Sequence, residues 1–282
     1  MTTIQLSDGT GVVTRHADFP SQHVAPRHVD VWCPPGYAES PNARFPVVYM
    51  HDGQNLFDPA LANTGIDWGV DEAITRLIQA ERLPGAIVVG IWNTPRRVRE
   101  YMPHKLLAGP EGQARLRRFA VELGGPPLSD QYLAFLTSEL KPFVDATYRT
   151  LPDQPNTFVM GSSMGGLISL YALVEYPHIF GGAGCLSTHW PRGEELLVES
   201  FGAALPVPGR HRLYFDYGTA TLDAQYEPYQ QRMDGLLEQA GYTRGRDWLT
   251  LKFEGADHSE RAWRARVHIP LSFLLLGCST RS

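Results

Sequence analysis

Three residues far apart in the chain are of the types that together cleave acyl bonds. Residues 159 to 166 read VMGSSMGG, and Gly161-Ser162-Ser163-Met164-Gly165 matches G-x-S-x-G with Ser163 in the nucleophile position. A serine on a tight strand-to-helix turn has its hydroxyl lifted clear of a sheet and set beside a helix N-terminus, whose free amides stabilise a developing oxyanion. The flanking glycines avoid the clashes that side chains would make in so sharp a turn. The pattern alone also occurs in plain glycine-rich turns. A phosphate-binding loop is a poorer reading, because GSSMGG has neither the dinucleotide spacing nor the P-loop lysine.

A nucleophilic serine needs a base and a group that orients it, in the chain order Ser, Asp/Glu, His on such a fold. Of the downstream histidines, His178 falls at a helix end, His211 begins a strand and His268 lies within the last helix. His258 is placed differently, in the loop GADHSE just past the strand LTLKFEG, and is the expected base. The acid candidates are Asp216, Asp223, Asp234, Asp247 and Asp257. Asp223 is preferred because it follows the strand end, where a loop could swing a carboxylate toward His258. Asp216 is the alternative, read as a hydrogen-bond acceptor inside the strand. Oxyanion amides are expected from Met164 and from Gly53 or Gln54 in HDGQN, with His51 as a structural residue.

The elements that must carry these residues alternate. Strands are predicted at 28–33, 46–50, 85–92, 156–160, 182–186, 212–217 and 248–253, several of them unbroken apolar runs. Helices are predicted at 68–83, 164–176, 194–201, 222–240 and 259–276. Ser129 is expected to cap a further long amphipathic stretch, which Pro142 should kink. Residues 94–128 read as a surface insertion suited to covering a substrate. Strands and helices in this order predict an α/β fold, a mostly parallel sheet with helices on both faces, in a single domain over 1–282.

Composition narrows the partners. The chain is 43% hydrophobic and 20% charged, with a net charge of −5, which argues against nucleic acid and anionic membranes. Cys33, Cys185 and Cys278 lack disulfide or zinc spacing, so neither metal nor other cofactor is expected, and Cys185 reads as a small buried hydrophobe. MTTIQLSDGT does not read as a signal peptide, and LSFLLLG reads as too short to span a bilayer. A cytoplasmic protein is expected, with a secreted mature form still open and the oligomeric state unspecified.

With these residues in view, the chain resembles the α/β-hydrolase superfamily and, within it, the Putative esterase family of enterochelin esterases, feruloyl and acetylxylan esterases and S-formylglutathione hydrolases. The resemblance runs from about residue 28 to the end. It rests on VVYMHDGQNLFD at 47–58, VVGIWNTPRRVREYMP at 88–103, FLTSELKPFVDATYRT at 135–150, MGSSMGGLISLYAL at 160–173, LYFDYGTATLD and FEGADHSERAW. It implies a serine esterase with Ser163 as nucleophile, His258 as base and the Met164 amide in the oxyanion hole. Where many members carry a carboxylate just after the Gly-Thr of the LYFDYGTATLD turn, this chain has Ala220 and Thr221.

The expected reaction is hydrolysis of a small-molecule ester through an acyl-enzyme, with Asp223 orienting His258. An acyltransferase on the same fold and a non-catalytic binding protein are the alternatives. Trp92, Arg97, His189 and Trp190 are the expected substrate contacts. Arg97, Glu100 and Tyr101 match an Arg-x-x-Glu-Tyr segment of the family, which would either line the pocket or brace the insertion as an ion pair.

Overall fold

A computed structural model of the chain describes residues 1–6 and 10–276, so Cys278 lies outside the described residues. The strands are β1 (Thr2–Gln5), β2 (Val12–Phe19), β3 (Arg27–Trp32), β4 (Val47–His51), β5 (Ile87–Ile91), β6 (Thr157–Ser162), β7 (Gly182–Leu186), β8 (Arg212–Gly218) and β9 (Trp248–Phe253). They form one sheet in the order β1-β2-β3-β5-β4-β6-β7-β8-β9. Pairing is antiparallel from β1 to β5 and parallel from β5 through β9.

Every residue of β4, β5, β6 and β7 is buried, the mark of strands covered on both faces. Alternate side chains feed two cores, as the period of a strand requires. Val47, Tyr49, Val89 and Val159 enter one, while Val48, Met50, Val88 and Met160 enter the other. On the first face lie α2 (Arg97–Tyr101), α3 (Gly109–Glu122), α4 (Ser129–Ala134), α5 (Lys141–Thr147), α6 (Met164–Glu175), α7 (Glu194–Ala204) and α8 (Glu227–Gln239). The second face is covered by α1 (Val70–Gln79), α9 (Glu260–Arg266) and α10 (His268–Leu276). Met164 through Leu173 of α6 are all buried, so this helix is apolar on every side and lies in the core.

Several expectations are corrected. Strands β1 and β2 do not figure in the sequence reading; β2 reads VVTRHADF, and most of its residues are partly or fully exposed, so no apolar run announces it. Residues 94–128 are no detached cover: Tyr101, Met102, Leu107, Leu116 and Phe119 belong to the core. Ser129 is the first residue of α4 and makes no side-chain cap.

The kink expected at Pro142 takes the form of a π-helical turn over Phe135–Leu140, just before the proline. There the Thr137 and Ser138 hydroxyls donate to the carbonyls of Leu133 and Ala134, at 2.7 and 2.6 Å. A proline without an N–H and hydroxyls bonded to the preceding turn both favour such widening. The last predicted helix is two, parted at Val267, which places Pro270 in the first turn of α10 where a missing N–H is harmless.

Candidate active site

Six loops leave the C-terminal ends of the parallel strands β4 to β9, and the predicted site residues are spread over all six, the crevice where open α/β sheets place their sites. At the centre, β6 ends at Ser162 and α6 begins at Met164, with Ser163 between them at φ 59°, ψ −122°. An L-residue is held there only by its surroundings, and such strain gathers at functional sites. The Ser163 amide donates to Leu186 on the neighbouring strand at 2.9 Å, while its carbonyl accepts from Gly166 and from His189.

The glycines explain how the turn closes. A Cβ on Gly161 would lie 2.9 Å from the Gly165 backbone, and one on Gly166 would lie 2.9 Å from Thr188 Oγ1. On the other side, a Cβ on Gly165 would meet Asp52 and His51. The first turn of α6 is thus wedged between the loop after β4 and the loop after β7. Its leading amides, Met164 foremost, have no acceptor within the helix.

The loop after β4 turns through Asp52 at φ 57° into a short 3₁₀ turn, Gly53–Asn55. Gly53 packs against the backbone of β5, where an added Cβ would lie 2.4 Å from the Gly90 carbonyl carbon. Arg97 grips Asp52 with two hydrogen bonds of 2.7 Å, and Asn93 adds another at 2.6 Å. The Gln54 side chain accepts from the Asn93 amide at 3.3 Å. Burial alone would raise the Asp52 carboxyl, but the Arg97 charge and its fork hold it below the usual range. Arg97 and Glu100 do not pair with each other; Glu100 forms a fully buried pair with Arg27 at 2.7 Å. His51 is buried with Nδ1 2.8 Å from the Tyr132 hydroxyl, and burial drives its imidazole down to about 3, so it is neutral.

The base and acid loops are bound together. The amides of Thr219 and Ala220 donate to Ala256, and the His258 amide donates to Thr221 Oγ1. Gly218 permits this contact, since a Cβ there would lie 2.1 Å from the Ala256 carbonyl oxygen. His258 Nδ1 lies 2.5 Å from Asp223 Oδ1. The other carboxylate oxygen accepts from Ser187 Oγ at 2.6 Å and from the Gly218 amide at 2.7 Å. Burial would raise the Asp223 carboxyl, but the hydrogen bonds from His258, Ser187 and Gly218 outweigh it and hold the group below its ordinary range. Asp216 is committed elsewhere: Arg266 forks onto it at 2.9 and 3.1 Å inside the core.

Residues to which the sequence assigned no catalytic role complete the cluster. Ser187 Oγ accepts from Trp263 Nε1 and Arg266 Nη2, both at 3.0 Å, so α9 supports the carboxylate through this hydroxyl. Tyr226 stands between the two imidazoles: its hydroxyl lies 2.6 Å from His189 Nδ1, and its ring meets His258 edge-on with centroids 5.7 Å apart. The Tyr226 amide donates to the Asp223 carbonyl at 3.0 Å, and this three-residue spacing in DAQY was the signal available in the sequence.

The expected substrate contacts separate. His189 is at the cluster, and burial together with the charges of His258, Arg192 and Arg97 lowers its imidazole to about 4. Arg97 belongs to the Asp52 clamp. Trp190 is only 1% exposed and donates to Gln230 at 3.1 Å, so it is core and not a lining residue. Trp92 is turned toward β2 and β3, donating to Asp30 at 2.8 Å under the Arg15 guanidinium. Among the described residues, no group of three or more His, Cys, Asp or Glu is arranged to hold a metal ion, and no helix is long and apolar enough to cross a membrane.

Comparison with known proteins gives matches over most of the chain. A family model described as "Putative esterase" matches residues 23–268. The uncharacterized protein YbbA of Bacillus subtilis (strain 168) is 26% identical over 250 residues, which cover 86% of this chain and 90% of that protein. An IroE-like serine hydrolase from Shewanella oneidensis superposes with a TM-score of 0.67 at 20% identity, covering 94% of this chain and 78% of the other. The enterobactin esterase FES from Shigella flexneri, solved in the presence of enterobactin, gives 0.67 at 20% identity over 93% of this chain and 58% of its own. At these identities the structural likeness is one of fold, the α/β-hydrolase fold.

Proposed function

This chain belongs to the Putative esterase family, and from that premise we propose that it hydrolyses carboxylic esters through an acyl-enzyme on Ser163. The observation that carries the reading is the strained Ser163 at the head of α6, set beside loops that hold His258 against Asp223. In the first half-reaction Ser163 Oγ bonds to the ester carbonyl carbon and its proton passes to His258 Nε2. The carbonyl oxygen takes the displaced electron pair, and the amides of Met164 and of Gly53 or Gln54 receive that charge. As the intermediate collapses, the bond to the alcohol oxygen breaks and His258 returns the proton to it. Water then repeats the sequence on the acyl-enzyme, and Ser163 is the leaving group.

Asp223 orients His258 and keeps the Nδ1 proton in place, which leaves Nε2 as the acceptor. Short acyl esters, sugar esters and siderophore-type esters are the substrate classes to compare, the last because of the likeness to an enterobactin esterase. The test is hydrolysis of p-nitrophenyl acetate by purified protein. Ser163→Ala should abolish turnover, while Ser162→Ala, one residue earlier in the buried end of β6, should retain it. Equal behaviour of the two variants would remove Ser163 from its role.

A further inference from the structure

Tyr226 stands where the reacting oxygen is. Its side chain is close enough to that of Ser163 for the serine to lower the phenol's pKa, its hydroxyl lies 2.6 Å from His189 Nδ1, and its ring flanks His258. The phenol is fully buried, and burial raises its pKa far above the ordinary value, so it keeps its proton. His189 is fixed to the same turn, because its backbone amide donates to the Ser163 carbonyl at 3.2 Å.

Counting protons allows this chain two directions. His189 is neutral at pH 7, so its ring carries one N–H. If Nδ1 were the bare nitrogen, Tyr226 would donate to it. The Ser163 hydroxyl would then have to donate to Tyr226, and its proton would be turned away from His258. With the proton on Nδ1 the order reverses. His189 donates to the Tyr226 oxygen, Tyr226 donates to Ser163 Oγ, and the Ser163 proton is left for His258 Nε2.

We propose that Tyr226 is a catalytic residue whose hydroxyl donates to Ser163 Oγ, and that His189 is the positioning residue that keeps the donation in that direction. The proposal rests on Ser163 being the nucleophile. Tyr226 transfers no proton. As the Ser163 proton leaves for His258 and the Oγ–carbon bond forms, the phenol stabilises the charge passing through Oγ. It does so again when Oγ departs from the acyl-enzyme. One donor therefore serves both half-reactions, from the loop after β8, which lies across β6 from the loop after β4.

The test compares wild type, Tyr226→Phe, His189→Gln, His189→Leu and Ser163→Ala. Two readouts are taken: kcat and KM on p-nitrophenyl acetate, and the second-order rate of inactivation by a fluorophosphonate. The inactivation rate reports the nucleophile directly. Tyr226→Phe should lower kcat and the inactivation rate together by about 10- to 100-fold, the usual effect of one hydrogen bond to a developing charge. KM should stay within about twofold, since the interaction strengthens only in the transition state. His189→Gln, whose amide can still donate, should keep more of both rates than His189→Leu. Inactivation of Tyr226→Phe at the wild-type rate would overturn the proposal, and faster inactivation would show the opposite proton order and overturn it too. Labelling of Ser163→Ala would instead sink the underlying assignment of Ser163. An unlabelled Ser163→Ala beside a fully reactive Tyr226→Phe defeats the Tyr226 role alone.

Discussion

Asp223 gives its two carboxylate oxygens different tasks, and the partners of each make a sharp prediction for asparagine. Oδ1 faces His258 Nδ1, while Oδ2 accepts from the Gly218 amide and the Ser187 hydroxyl. In Asp223→Asn the side-chain NH₂ cannot settle beside the Gly218 N–H, since two donors would meet there. It must turn toward His258, where it favours the tautomer with a bare Nδ1 and a protonated Nε2. That ring cannot take the Ser163 proton. On this argument kcat should fall by about 10³- to 10⁴-fold, the scale known for the wrong tautomer in such triads, with KM little changed. Steady-state kinetics on p-nitrophenyl acetate checks it, and a loss under tenfold would mean that the carboxylate does not set the tautomer.

At the scale of elements, the site depends on how closely the loop after β4 sits against β5. Gly53 touches the backbone at Gly90, and an added Cβ would fall 2.4 to 2.7 Å from Gly90 and Ile91 atoms. Backbone cannot swing aside as a side chain can, so Gly53→Ala must push the whole turn outward, and with it the Gly53 and Gln54 amides. Overpacking of this kind destabilises by about 1–3 kcal/mol, and displacement of one oxyanion donor lowers kcat by about 10²- to 10³-fold. Urea unfolding and kcat on the same preparation test this together; wild-type kcat in a well-folded Gly53→Ala would exclude these amides from catalysis. The same loop shows what was legible in the sequence. Gly161, Ser163 and His258 were readable because a strand-to-helix turn and a loop after a strand are local patterns. The Arg97–Asp52 and Arg27–Glu100 pairs join segments distant in the chain, and no local spacing announces them. Trp190 was misread for a related reason: an aromatic beside a strand end suits a pocket or a core equally, and only packing against Phe201 and Phe215 decides.

Across the whole molecule, burial lowers the pKa of His16, His51, His189 and His268 and so couples stability to pH, His51 and His189 having the large shifts. His51, under the loop after β4, has its pKa lowered to about 3, and His189, beside Tyr226, to about 4. Unfolded, both would titrate near 6.5. Between these values the unfolded chain binds protons that the folded chain refuses, so stability rises with pH through that window and falls on acidification from 7 toward 5. Each such histidine removes about 2 kcal/mol over that step, a large share of the about 5–15 kcal/mol typical of a folded domain. Burial raises Asp216 and Asp234, which work in the opposite sense where their folded values exceed the pH. Asp52 and Asp223, lowered in the fold, act with the histidines only below the ordinary carboxyl range. A difference between variants isolates one contribution from this mixture. Urea unfolding at pH 7 and pH 5 should show the His189→Asn variant losing about 2 kcal/mol less on acidification than wild type. An equal loss in the two proteins would mean that His189 is not held neutral, and the proton order assigned to the Tyr226 chain would lose its starting point.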